Sequence, residues 1–107
     1  MPTTSTDDPV LAHFRKALDE MYGARLDRVV LFGPRARGEA RPDPDYDVAV
    51  FLTAIGDRWA EMDKLARLSV QFQDDAGAVF DAKPYLTTRY DDTSPLMWEI
   101  RRDGLSL

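Results

Sequence analysis

The chain has 107 residues, with 19 Asp plus Glu against 14 Lys plus Arg and a formal charge of −5. That length holds one domain, and 44% apolar with 31% charged residues is the composition of a soluble globular protein. The acidic balance argues against direct nucleic-acid binding, which runs on net positive surface, although a local basic pocket stays open. No cysteine is present, so disulfides, zinc-thiolate sites and thiol nucleophiles are excluded, and the single His excludes a multi-histidine metal site. A metal would need carboxylate ligands, which suit a hard ion such as magnesium. The opening "MPTTSTDDPV" lacks the basic-then-apolar order of a signal peptide, and no apolar run nears the roughly 18 residues of a membrane span. A cytoplasmic location is expected.

Residues 1–6 read as a frayed tail. Asp7 or Asp8 caps a first helix with Pro9 in its first turn. Val10, Phe14, Ala17, Leu18 and Met21 recur at helical spacing, and Gly23 stops the helix. "RVVLFG" gives a buried strand from about Asp27 to Phe32. Residues 33–44, "GPRARGEARPDP", make a loop with one helical turn after Gly33. A second strand runs from about Tyr46 to Leu52. Gly56 and Asp57 open a longer helix with Trp59, Met62, Leu65, Ala66, Ser69 and Phe72 on one face, and Gly77 closes it. "AVFDAKPYLT" is a third strand, in which Pro84 points to a sheet edge or a late irregularity. Residues 90–94 form a polar link, and Ser94 caps a last helix over Leu96, Met97 and Ile100 that stops at Gly104. The order predicts a two-layer α/β (α+β) domain, a small mixed sheet with helices packed on one face.

The densest polar cluster is Asp43, Asp45 and Asp47, directly before an apolar strand. Residues i and i+2 of a strand share a face about 7 Å apart, so Asp45 and Asp47 converge while Tyr46 turns away. Two like charges held together favour a cation or a proton between them. The plain alternative is that these carboxylates only solvate a strand end. Just upstream, Gly33 lets the backbone turn or approach a ligand closely. Arg35, Arg37 and Arg41 follow within seven residues, opposed locally only by Glu39. A planar guanidinium donates two bonds at once to phosphate. Phosphate donors beside paired carboxylates are the layout of phosphoryl and nucleotidyl transfer. Individually, the arginines also read as ordinary surface charges, Arg41 above all.

A third carboxylate, Asp81, stands amid the apolar residues of "AVFDAKPYL". A charge there needs a reason. Service as general base or metal ligand supplies one; a pair with Lys83, two residues on, supplies another. His13 reads as a surface residue, Trp59 and Phe72 as core, and Tyr46 and Tyr85 as packing residues. Trp98 points away from the core face of its helix, where an exposed Trp can anchor an interface.

The stretch "LFGPRARGEARPDPDYDVAVF" with the later Asp81 resembles the polymerase-β-type nucleotidyltransferase superfamily. It is most similar to the minimal nucleotidyltransferase (MNT) branch, the antitoxins of HEPN-domain toxins. The family pattern is Gly-Ser, ten residues, Asp-x-Asp, and a further Asp on a later strand; here Gly33 and Pro34 are followed by ten residues and then Asp45 and Asp47. The "RARG" of Arg35 to Gly38 also matches, and the likeness spans about residues 10–104. It implies that Asp45, Asp47 and Asp81 form a magnesium-binding catalytic triad. It further implies that Gly33, Pro34, Arg35 and Arg37 lie at the nucleotide. The implied reaction moves AMP from ATP to a tyrosine of a partner HEPN RNase toxin within a hetero-oligomer.

Pro34 departs from the pattern, because it offers phosphate neither a hydroxyl nor a backbone N–H. Losing a hydrogen bond to a charged group costs roughly 1.5–3 kcal/mol, while proline still suits the first position of a helical turn. Two rivals follow. One is an antitoxin of weakened or absent catalysis that neutralises its toxin by binding alone; the other is an enzyme modifying a small molecule with help from a second subunit.

Overall fold

The computed structural model describes residues 8–38 and 45–107. The tail over residues 1–6, Asp7, Glu39, Arg41 and Asp43 therefore lie outside the described residues. Helix α1 is Pro9–Tyr22, and its N-cap is Asp8, whose carboxylate accepts from the Val10 N–H at 2.9 Å. Strand β1 is Leu26–Phe32 and β2 is Tyr46–Leu52. Helix α2, Arg58–Ala76, is capped by Asp57 and ends at the left-handed Gly77. Strand β3 is Phe80–Leu86, helix α3 is Pro95–Asp103, and Leu105–Ser106 form a short β4.

The sheet order is β3-β2-β1-β4, with β1 antiparallel to both neighbours and β2 parallel to β3. Parallel neighbours need a crossover, and α2 provides it. β3 is an edge strand, which is where Pro84 is tolerated. β4 is not legible in the sequence, since it is two residues long and begins directly after the helix stop. Gly104 makes it fit: a Cβ there would run into the Ile100 carbonyl and the Val30 side chain.

Alternation along the strands splits the core in two. Val29, Leu31, Val48, Val50 and Phe80 face α1 and α2. There Phe14 stacks on Phe80 with ring centroids 3.8 Å apart, and Phe72 meets both rings edge-on. Val30, Ala49, Phe51 and Tyr85 face the other way, under Met97 and Ile100 of α3. The mixed sheet is as expected, and α1 and α2 share one face; α3 covers the opposite face, because Val30 and Phe32 of β1 and Ala49 and Phe51 of β2 are apolar too.

Two helix faces differ from the sequence reading. In α1 the buried set is Leu11, Phe14, Leu18 and Tyr22, while Met21 lies at the surface. In α2 the buried residues are Glu61, Leu65 and Leu68, and Trp59 is 78% exposed. The helix carries two apolar stripes, and the sheet takes the one that contains a glutamate. Glu61 is tolerated because Arg25 Nη1 donates to its Oε2 at 2.8 Å and Lys64 Nζ lies 3.4 Å from its Oε1. Burial alone would raise the Glu61 carboxyl, but the bond and charge of Arg25 and the charge of Lys64 bring it below its ordinary value. The Tyr22 hydroxyl, buried and close to Glu61, is pushed up to about 12.

Because the Glu61 carboxyl is lowered by folding, its stabilisation is present above the unfolded-state value and is lost as pH falls through the folded one. Arg25→Ala should cost about 2 kcal/mol at neutral pH. Urea denaturation should show the gap from the parent narrowing below the ordinary glutamate range.

Candidate active site

The strand ends assemble the site. β1 runs out at Phe32 beside the start of β2, and the parallel register brings the start of β3 to the same edge of the sheet. Phe32 and Asp81 are the register partners of Asp47 on its two sides. In-register neighbours project to the same face, so Asp47 and Asp81 stand side by side. Asp45 is exposed just before β2, two residues from Asp47. Tyr46 between them turns to the α1–α2 face and stacks on Phe80 at 4.7 Å.

Gly33 closes the site from β1. Its φ of +76° suits a residue without a side chain, and a Cβ there would lie 2.5 Å from Asp47 Oδ2. The N–H groups of Ala36 and Arg37 both donate to the Gly33 carbonyl, at 3.1 and 3.3 Å. Residues 33–38 thus form the single helical turn that the sequence suggested, with Pro34 at its start.

The carboxyl of Asp47 is held above the ordinary aspartate value, first by burial and then by the charges of Asp81, Asp45 and, more weakly, Glu99; Lys83 opposes this. Lys83 Nζ donates to Asp81 Oδ1 at 2.9 Å, the pair weighed from the sequence. Among the described residues, no three His, Cys, Asp or Glu side chains converge closely enough to hold a metal ion. The donors that do meet are carboxylate oxygens carrying more negative charge than Lys83 neutralises. That chemistry fits a hard divalent cation.

The two described arginines of the turn part company. Arg37 reaches over to α3, with Nη1 3.3 Å from Glu99 and 3.9 Å from Asp103. Arg35 goes to the opposite face, its guanidinium 3.9 Å above the Tyr46 ring and its Nη2 donating to the Tyr46 hydroxyl at 2.8 Å. That hydroxyl donates in turn to Asp8, the cap of α1. Asp8, Tyr46 and Arg35 therefore tie the turn to α1 and β2. Sequence reading missed this hub, and the approach of Glu99, since both join residues far apart with no local spacing to betray them. His13 is exposed, while Tyr46 and Tyr85 are buried.

Two predictions rest on this geometry. Gly33→Ala should cost about 1–2 kcal/mol for the positive φ alone and should also displace Asp47. Calorimetry should then show the melting temperature lowered by roughly 4–8 °C for each kcal/mol lost. Asp47 is raised on folding, so its repulsion is absent at acid pH and destabilises as pH rises through the folded value. Asp47→Asn should therefore raise the metal-free melting temperature by about 2–5 °C at pH 7 and give little change at pH 4.

Among solved structures, the chain resembles a toxin–antitoxin crystal structure with AMP-PNP at 18% identity and a TM-score of 0.59, covering 88% of this chain and 69% of that one. A tyrosine-to-alanine variant of the MntA–HpeT toxin–antitoxin gives 18% identity and a TM-score of 0.61, covering 90% and 70%. A variant of the same pair with two aspartates changed to glutamate gives 15% and 0.59, covering 88% and 69%. At these identities the likeness is one of fold. No curated protein matches the chain. The family model described as "Nucleotidyltransferase domain" matches residues 11–92, which include Gly33, Asp45, Asp47 and Asp81, and the chain belongs to that family.

Proposed function

We propose that this chain is a magnesium-dependent antitoxin that transfers AMP from ATP to a tyrosine of a partner HEPN RNase toxin. The observation that carries this reading is the pairing of Asp47 with Asp81 beside a glycine turn with no room for a Cβ. The family match and the toxin–antitoxin fold neighbours support it.

In this reading Asp45 and Asp47 hold the ion and Asp81 completes the set. The ion, when bound, offsets the charge of the phosphates and orients the α-phosphate. The turn from Gly33 to Gly38 receives the triphosphate, with Arg37 as its cation on the carboxylate face. The tyrosine oxygen attacks the α-phosphorus, a P–O bond forms, and the bond to the departing pyrophosphate breaks. The phenolic proton passes to Asp81, whose carboxylate must first give up its bond to Lys83. Lys83 can then pair with another anion in the site. Arg35 keeps the turn in place through Tyr46 and Asp8.

Binding without catalysis is the second reading, and Pro34 together with the Lys83–Asp81 pair favours it. Substituting Asp45→Asn and Asp47→Asn separates the two. Under the transfer reading, AMP incorporation into the toxin falls by at least about a thousandfold, matching the loss of several kcal/mol of transition-state stabilisation, and neutralisation fails with it. Unchanged neutralisation would leave binding as the mechanism. Pro34→Ser should raise the transfer rate by about tenfold if it restores one phosphate hydrogen bond.

A further inference from the structure

Six large apolar residues are exposed among the described residues, and four of them, Trp59, Val70, Val79 and Leu86, belong to or adjoin α2 and β3. They accompany the stripe of α2 that the sheet leaves outside: Trp59, Met62, Ala66, Val70 and Gln73 follow one another at helical spacing. α2 runs back along β3, so Trp59 lies toward the Leu86 end and Gln73 toward the Asp81 end. Between the helix and the strand is a groove of about 350 Å³, lined by Met62, Ala66, Val70, Val79 and Phe80, with Asp81 and Lys83 also on its wall. Phe80 and Ala82 turn toward this groove, while Asp81 and Lys83 border it only at the edge of β3, because their side chains project to the α3 face.

Unpaired acidic groups gather at one end of it. The last turn of α2 holds Asp74 and Asp75 and no basic residue, an unfavourable placement at the negative end of a helix dipole. Among the described residues neither forms an ion pair or side-chain hydrogen bond. They make that end acidic, while Asp81 on the groove wall is already paired with Lys83. A second copy of the chain would bring the same acidic end and a net charge of −5 to the contact. Strand addition to the β3 edge meets Pro84, which has no N–H to give. What fits is a helix with apolar anchors and basic flanks. The stripe from Trp59 to Gln73 is about 21 Å long, roughly four turns.

We propose that the groove between α2 and the free edge of β3 docks a basic, amphipathic helix of the acceptor protein. This deepens the transfer reading and rests on it for the identity of the acceptor.

The probe is a 14-residue helical peptide of leucine and lysine, compared with its leucine and glutamate counterpart. Trp98→Phe leaves Trp59 as the one tryptophan reporter. The lysine peptide should shift Trp59 emission to the blue, whereas the glutamate peptide should not. Val70→Asn with Val79→Asn should weaken binding about tenfold, the effect of losing apolar anchors worth 1.4 kcal/mol. Asp74→Asn with Asp75→Asn should weaken it several-fold and flatten its salt dependence. Asp45→Asn with Asp47→Asn should leave it unchanged. Equal binding of both peptides, no shift with the lysine peptide, or burial of Trp59 by self-association in sedimentation would overturn the proposal. If a tyrosine-bearing lysine peptide binds in the groove but takes no AMP from ATP and magnesium, the docking site stands and the transfer reading fails.

Discussion

The parallel pairing of β2 with β3 puts Asp47 and Asp81 on adjacent strands at the same level of the sheet. Among the described residues, no other two carboxylates are register partners on adjacent strands. A slip of one residue would send Asp81 to the opposite face, into the aromatic cluster around Phe80. The register is therefore held by the apolar packing on both sides. Phe14, Phe72 and Phe80 lock β3 against α1 and α2, while Tyr85 sits with Phe51 under α3. The repulsion at Asp47 is a local cost that this packing sustains.

Around that pair, each flanking element restricts the space available. Gly33 brings the backbone of the turn against Asp47, and Lys83 balances Asp81 from its own strand. The hub of Asp8, Tyr46 and Arg35 anchors the turn from the far face. Tyr46 thus links the two sides of the sheet: its neighbours in sequence are the site carboxylates, and its ring belongs to the core. Glu61 illustrates the same economy elsewhere. It occupies a core position of α2 because Arg25 reaches it, beside Leu65, Leu68 and Phe72, and a second apolar stripe of that helix stays outside.

Much of the fold follows from local patterns. The caps Asp8, Asp57 and Ser94, the stops at Gly23 and Gly77, and the three long strands are all written in short-range spacing. Pro84 marks an edge because a missing N–H has few other places in a sheet. The candidate site was legible for a similar reason: Gly33, Asp45 and Asp47 keep a fixed distance along the chain, and Asp81 is a charge out of place among apolar neighbours. Whether Arg35 or Arg37 faces the carboxylates was not legible, because two arginines in one turn look alike until Tyr46 and Glu99 attract them to opposite sides.

By itself, then, the amino-acid order determined the elements, their polarity and the identity of the acidic cluster, since these depend on hydrogen bonding and hydrophobic periodicity within a few residues. Tertiary structure alone decided which stripe of α2 is buried, that α3 takes the second face, that Leu105 and Ser106 extend the sheet, and that Asp81 meets Lys83 beside Asp47. Those outcomes turn on contacts between residues tens of positions apart, where several local solutions are nearly equal and packing selects among them.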